Sequence, residues 1–159
     1  MRIFGHLIHP MLVHFPVAFW TLGTLFDIGA YAGWPDLWQP AGLLILLGLG
    51  LGLISAIVGG VDFALMEADD QARSAAEIHM MLMLGAWMIY LVAYLFRLEG
   101  TAITTEASMV PVILSILGFL TMSVGGRYGG HLVYHHGVGV AKRASPGASA
   151  KTGANKDAG

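Results

Sequence analysis

The chain has 159 residues, of which 56% are hydrophobic and only 11% charged, and its mean hydropathy is +0.70. Soluble domains carry about 25% charged residues, so a water-soluble globule is excluded, and the length suits one domain. Absence of cysteine removes disulfides, iron–sulfur clusters, thiolate zinc sites, c-type haem attachment and cysteine nucleophiles; a formal charge of −2 with no basic stripe gives no footprint for nucleic acid.

In chain order, the first segment carries His6, His9 and His14 with Pro10 and Pro16. It lacks the compact basic region of a secretory signal, and Asp27 interrupts the apolar run that follows, so it is not read as a cleaved leader. Pro10 suits a first helical position. That places His14 one turn inside a helix, and Pro16 has no N–H for Leu12, so a local kink is expected.

A hydrocarbon core about 30 Å thick takes roughly 20 apolar residues as a helix, and four stretches meet that length: residues 15–33, 40–61, 79–96 and 109–126. A turn with Trp34, Trp38 and Pro40 joins the first two. An acidic segment, 64–77, amphipathic or irregular, joins the second to the third, and a polar link, 97–108, precedes the fourth. Short connections make neighbours antiparallel. The expected fold is all-α: a four-helix transmembrane bundle of up-down topology over residues 1–140, in contact with the lipid bilayer, followed by a disordered tail, 141–159. Arg2, Arg73, Arg127, Lys142 and Arg143 fall on one side and Arg97 alone on the other, so the positive-inside rule puts both termini in the cytoplasm of a bacterial inner membrane.

This topology gathers all seven histidines at one membrane face. His6, His9 and His14 precede the first span, His79 opens the third, and His131, His135 and His136 follow the fourth; Asp62 closes the second span at the same level. Single histidines at such a boundary usually just meet water or cap a helix end, but here every helix brings a ligand-type residue to one layer. His14 and His79 are the leading candidates, His14 because one turn inside the helix it can point inward and His79 because it starts an apolar helix. His9, His136 and Asp62 are the supporting ones, Asp62 as a direct ligand or as an acceptor that orients an imidazole. His131 and His135 share a face if the helix continues, although Gly125-Gly126 and Gly129-Gly130 weaken it there. Asp27 lies about 20 Å along the helix from His14, outside the histidine layer, at the height of Tyr94 and Arg97. A buried ion pair or hydrogen bond is expected for it. Gly48, Gly52, Ala56 and Gly60 form a small-residue stripe that lets another helix, including one of a second copy in a homo-oligomer, or a flat macrocycle at its Gly59-Gly60 end, approach closely.

The segments His9-Pro10-Met11-Leu12-Val13-His14-Phe15-Pro16, Gly59-Gly60-Val61-Asp62-Phe63, His79 and Gly129-Gly130-His131-Leu132-Val133-Tyr134-His135-His136 resemble the bacterial membrane-protein family called domain of unknown function 2231. The resemblance spans about residues 6–140. It implies a multi-helix inner-membrane protein with no assigned activity, similar in its helices and boundary histidines to small b-type cytochromes. The positions it carries over are His9, His14, Asp62, His79 and His136.

Three functions fit these residues. In the first, His14 and His79 approach one iron of haem b from diagonal helices, with His136 or His9 on a propionate or in place of one ligand, and electrons pass to a quinone or a membrane redox enzyme. In the second, His9, His14, Asp62, His79 and His136 hold a zinc, iron or copper ion. In the third, the histidines meet only water and headgroups, and the chain is an accessory subunit. The spans show no continuous polar file and no inverted repeat, which argues against transport. No Ser-His-Asp order, phosphate loop or HExxH helix supports a hydrolase or NTPase, so the residues assign no reaction.

Overall fold

The computed structural model describes residues 2–3, 6–66 and 69–138. The tail expected from residue 141 onward lies outside the described residues. Two short strands, β1 (Arg2–Ile3) and β2 (His6–Leu7), pair antiparallel and lead into α1 (Ile8–Leu12) and α2 (His14–Tyr31). The interruption falls at Val13, where Pro16 withholds the bond that Leu12 would accept. Gly33, at φ 114°, ends α2 in a left-handed turn that lets Trp34 N–H reach back to the Gly29 carbonyl. A 3-10 turn, Pro35–Leu37, then opens α3 (Trp38–Ala64).

The structure departs from the sequence reading after α3. The acidic segment is mostly helix: α4 runs Asp70–Leu95, and Asp69 caps it by accepting from Ala72 N–H at 2.8 Å. His79 is therefore more than two turns inside a helix instead of at its start. Ala72, Ala75 and Ala76 explain the extension, because they are good helix formers and are buried against Leu132, Phe63 and Met66. The polar link that follows holds a small hairpin, β3 (Leu98–Glu99) with β4 (Ala102–Ile103). The last helix, α5 (Met109–Tyr134), continues through both glycine pairs, so the end of the fourth span lies two turns beyond residue 126.

The helices α2, α3, α4 and α5 stand in a square, each touching its chain neighbours, with α5 closing against α2. The diagonal partners α2 and α4 meet through side chains at the centre. There Trp20 stacks on Tyr90 with ring centroids 4.8 Å apart and planes 10° from parallel. Ile45, Leu49, Ala86 and Met122 complete this core. Gly48 on α3 and Gly118 on α5 make room for the two rings: a Cβ at Gly48 would overlap the Trp20 indole, and one at Gly118 would sit 2.9 Å from Tyr90 Cε2. Outward-facing Leu22, Leu25, Leu43, Leu53 and Leu120 are exposed. In water that surface would be a liability; around a bundle whose four helices are long and apolar enough to cross a membrane, it is the face that lipid solvates. The chain is an integral membrane protein with four spans.

Candidate functional site

Asp27 and Arg97 occupy the end of the bundle away from the histidines. Both are fully buried and paired through Asp27 Oδ2 and Arg97 Nη2. The guanidinium also lies 4.0 Å from the Trp38 ring centroid, a cation–π contact that helps replace lost water. Trp38 is fixed in turn by donating from Nε1 to the Thr104 carbonyl at 2.8 Å. This is the buried ion pair expected from the height of Asp27. Between the pair and the other end, the Thr24 hydroxyl meets the Tyr90 hydroxyl at 2.8 Å.

At the histidine end, two imidazoles are held in the same way. His9 Nδ1 lies 3.0 Å from the Ser55 carbonyl of α3, and His79 Nδ1 lies 2.8 Å from the Gly125 carbonyl of α5. A carbonyl only accepts, so each Nδ1 carries the proton and donates. In the neutral ring that leaves the Nε2 lone pair unprotonated. One turn beyond each carbonyl stands a glycine under the ring. A Cβ at Gly59 would come within 2.6 Å of His9 Cε1, and one at Gly129 within 2.9 Å of His79 Cε1. Ordinary side chains at those two positions would expel the rings. His9 and His79 are half-buried and within electrostatic reach of each other.

The remaining candidates lie elsewhere. His14 is exposed. It stands five positions after His9, and a helix turns about 140° beyond a full turn in five residues. The Val13 interruption does not bring it back. Asp62 is half-buried near the end of α3. His136 packs with His131 and His135 where α5 ends, their ring centroids 4.7 to 5.2 Å apart. His6 contributes its backbone to β2. Among the described residues, no three or more His, Asp or Glu side chains are grouped so as to hold a metal ion. The structure thus seats His9 and His79 in the same manner and leaves His14 exposed. Sequence reasoning missed the two carbonyls and the two glycines that seat the rings. The available signal was the spacing: Gly59 follows His9, and Gly129 follows His79, by the same number of residues.

A shallow apolar groove between α2 and α5, lined by Thr21, Thr24, Leu25, Ile28, Ile116 and Phe119, opens on the lipid face. It bears no ionisable group. No curated protein and no solved structure shows significant similarity to this chain. A family model does match it, over residues 5–142. That stretch includes every described helix and both seated histidines, so the chain belongs to the family described as predicted membrane protein (DUF2231).

Proposed function

We propose that this membrane protein binds one b-type haem between His9 and His79 and uses it to pass electrons at one membrane face. The observation that carries the reading is the number and preparation of the donors. Two imidazoles, each fixed by an Nδ1–H to carbonyl bond, present Nε2 as a ligand, and such bonds orient metal-binding histidines and raise their basicity. A bare zinc ion wants about four protein ligands, and two imidazoles fall short. A porphyrin brings four nitrogens of its own and asks the protein for one or two axial ones.

When bound, the haem would supply one-electron chemistry. The chain's own part is to hold both imidazoles in one tautomer, to keep side chains off them at Gly59 and Gly129, and to surround them with apolar helix. The chemical partner would be a quinone or a membrane redox enzyme docked at that face. The bias of basic residues toward the same end supports a position on the cytoplasmic side of an inner membrane.

The test is a spectrum of the full chain purified in detergent, before and after dithionite. A Soret band with sharp reduced α and β bands is expected, lost in His9→Ala and in His79→Ala and kept in His14→Ala. A protein that stays colourless after incubation with hemin overturns the reading. Stoichiometric zinc, iron or copper in that colourless protein would favour a bare ion; no metal at all would leave an accessory subunit.

A further inference from the structure

The chain says the same things twice at a fixed interval. Ile8-His9-Pro10-Met11-Leu12 returns as Ile78-His79-Met80-Met81-Leu82, Leu25-Phe26 as Leu95-Phe96, Leu47-Gly48 as Leu117-Gly118, and Gly59-Gly60 as Gly129-Gly130. The interval is 70 residues, the same that separates Asp27 from Arg97 and Trp20 from Tyr90. The second helix of each half ends at the same step, α3 at Ala64 and α5 at Tyr134, whereas α2 ends at Tyr31 and α4 earlier in its half, at Leu95.

Contacts repeat with the letters. The bond from His9 to Ser55 and the bond from His79 to Gly125 both span 46 residues. Gly59 seats His9 as Gly129 seats His79, and Gly48 receives Trp20 as Gly118 receives Tyr90. Of the five candidate site residues, only these two histidines answer each other. His14 has Leu84 as its counterpart, Asp62 has Leu132, and His136 has Met66.

Under a two-fold rotation a residue touches its own counterpart only beside the axis. Trp20 stacks on Tyr90, and Asp27 pairs with Arg97. These counterpart contacts lie about 10 Å apart along α2, so the axis runs lengthwise through the bundle. Each half contains two spans, α2 with α3 and α4 with α5, so both halves enter the membrane in the same direction. This is a parallel repeat about the membrane normal, unlike the inverted repeats of many transporters.

We propose that the chain is an internal duplication of a two-helix unit, and that its rotation axis passes between His9 and His79, so that a single ligand is held once by each half. The duplication stands on the contacts above; its ligand clause rests on the haem reading and deepens it to one haem that both halves would hold alike.

Two experiments separate these parts. In the first, Asp27→Arg, Arg97→Asp and the double exchange are compared by size exclusion and by melting temperature in detergent. Each single variant places like charges face to face and should aggregate or lose most of its melting temperature. The double exchange should return a monodisperse protein with part of that loss recovered, because the two positions face each other across the axis, while Trp38, whose counterpart is Ser108, would no longer lie over a guanidinium. An exchange no better than the single variants overturns the duplication, whatever the protein binds. In the second, hemin is titrated into the full chain. One equivalent should bind, and His9→Ala and His79→Ala should weaken it to a similar degree. Two equivalents, or a loss confined to one variant, overturn the shared site. No binding by the wild type overturns the haem reading while the exchange still decides the duplication.

Discussion

At one end of the bundle Asp27 and Arg97 face each other with no exposure to solvent; at the other, His9 and His79 each commit one nitrogen to a backbone carbonyl and remain half-exposed. Both ends place polar groups among apolar helices, yet the chemistry differs. The ion pair is closed: each charge is answered by the other, and Trp38 covers the guanidinium. The histidine pair is open, since its seating bonds leave the Nε2 atoms uncommitted. A buried charge is tolerated when paired, whereas an oriented imidazole with an open Nε2 lone pair at a boundary is what a metal centre would need. The first end ties α2 to the link after α4, and the second is where we propose that a ligand binds.

The largest expected effect is on the closed end. Arg97→Met leaves the Asp27 carboxylate buried without its partner, which typically costs about 3–5 kcal/mol. Denaturation in mixed detergent micelles should show that loss, and the double variant Asp27→Asn, Arg97→Met should recover much of it. An Arg97→Met protein as stable as the wild type would remove the distinction between the ends.

A smaller effect tests the packing between the ends. Gly48→Ala drives a methyl into the Trp20 indole, whereas Gly50, two residues on, faces open space. Overpacking a core costs about 1–3 kcal/mol, while Gly50→Ala should be neutral or gain up to about 1 kcal/mol from helix propensity. Equal behaviour of the two variants in the same titration would show that the stacked rings are not a constraint.

Much of this architecture was legible in the sequence, for reasons that separate one residue from another. The apolar runs are long enough to be spans on length alone, and Asp27 had to find a partner at its own depth, which narrowed the choice to Tyr94 or Arg97. His79 stood out as a candidate because it abuts an apolar helix, and the structure seats its ring on the Gly125 carbonyl. His14 was favoured over His9 because one turn inside a helix it could point inward, whereas the structure leaves His14 exposed and His9 half-buried: that difference depends on a rotation of the chain around Val13 that periodicity does not report. The carbonyls of Ser55 and Gly125 were invisible because any residue has one. The helical start at Asp70 was obscured because an acidic, alanine-rich stretch is read as surface until Leu132 and Phe63 are known to cover it.

At the open end, Gly129→Ala should displace the His79 ring, since the new methyl would lie 2.9 Å from Cε1, while Gly130→Ala meets only Tyr134 at 4.0 Å. Loss of the support that orients a metal-binding histidine typically lowers affinity about 10–100-fold. Hemin titration should therefore separate the two variants, with melting temperatures close to each other. A Gly129→Ala protein that binds like the wild type would mean that the ring has slack and that its seat is not part of the site.

The smallest effect probes whether the histidine end depends on the part of α4 that precedes His79. Asp69 caps that segment through Ala72 N–H, and Asp69→Ala removes a cap worth about 1 kcal/mol. The first turn should fray, so amides at Ala72, Arg73 and Ser74 should exchange faster, while His79, two turns farther on and held by Gly125, keeps its place. Unchanged hemin affinity with faster exchange at the cap is the expected pair of results. A matching loss of hemin affinity would instead show that the alanine cluster against Leu132 transmits strain to the site, because α5 carries both Leu132 and the carbonyl that fixes the ring.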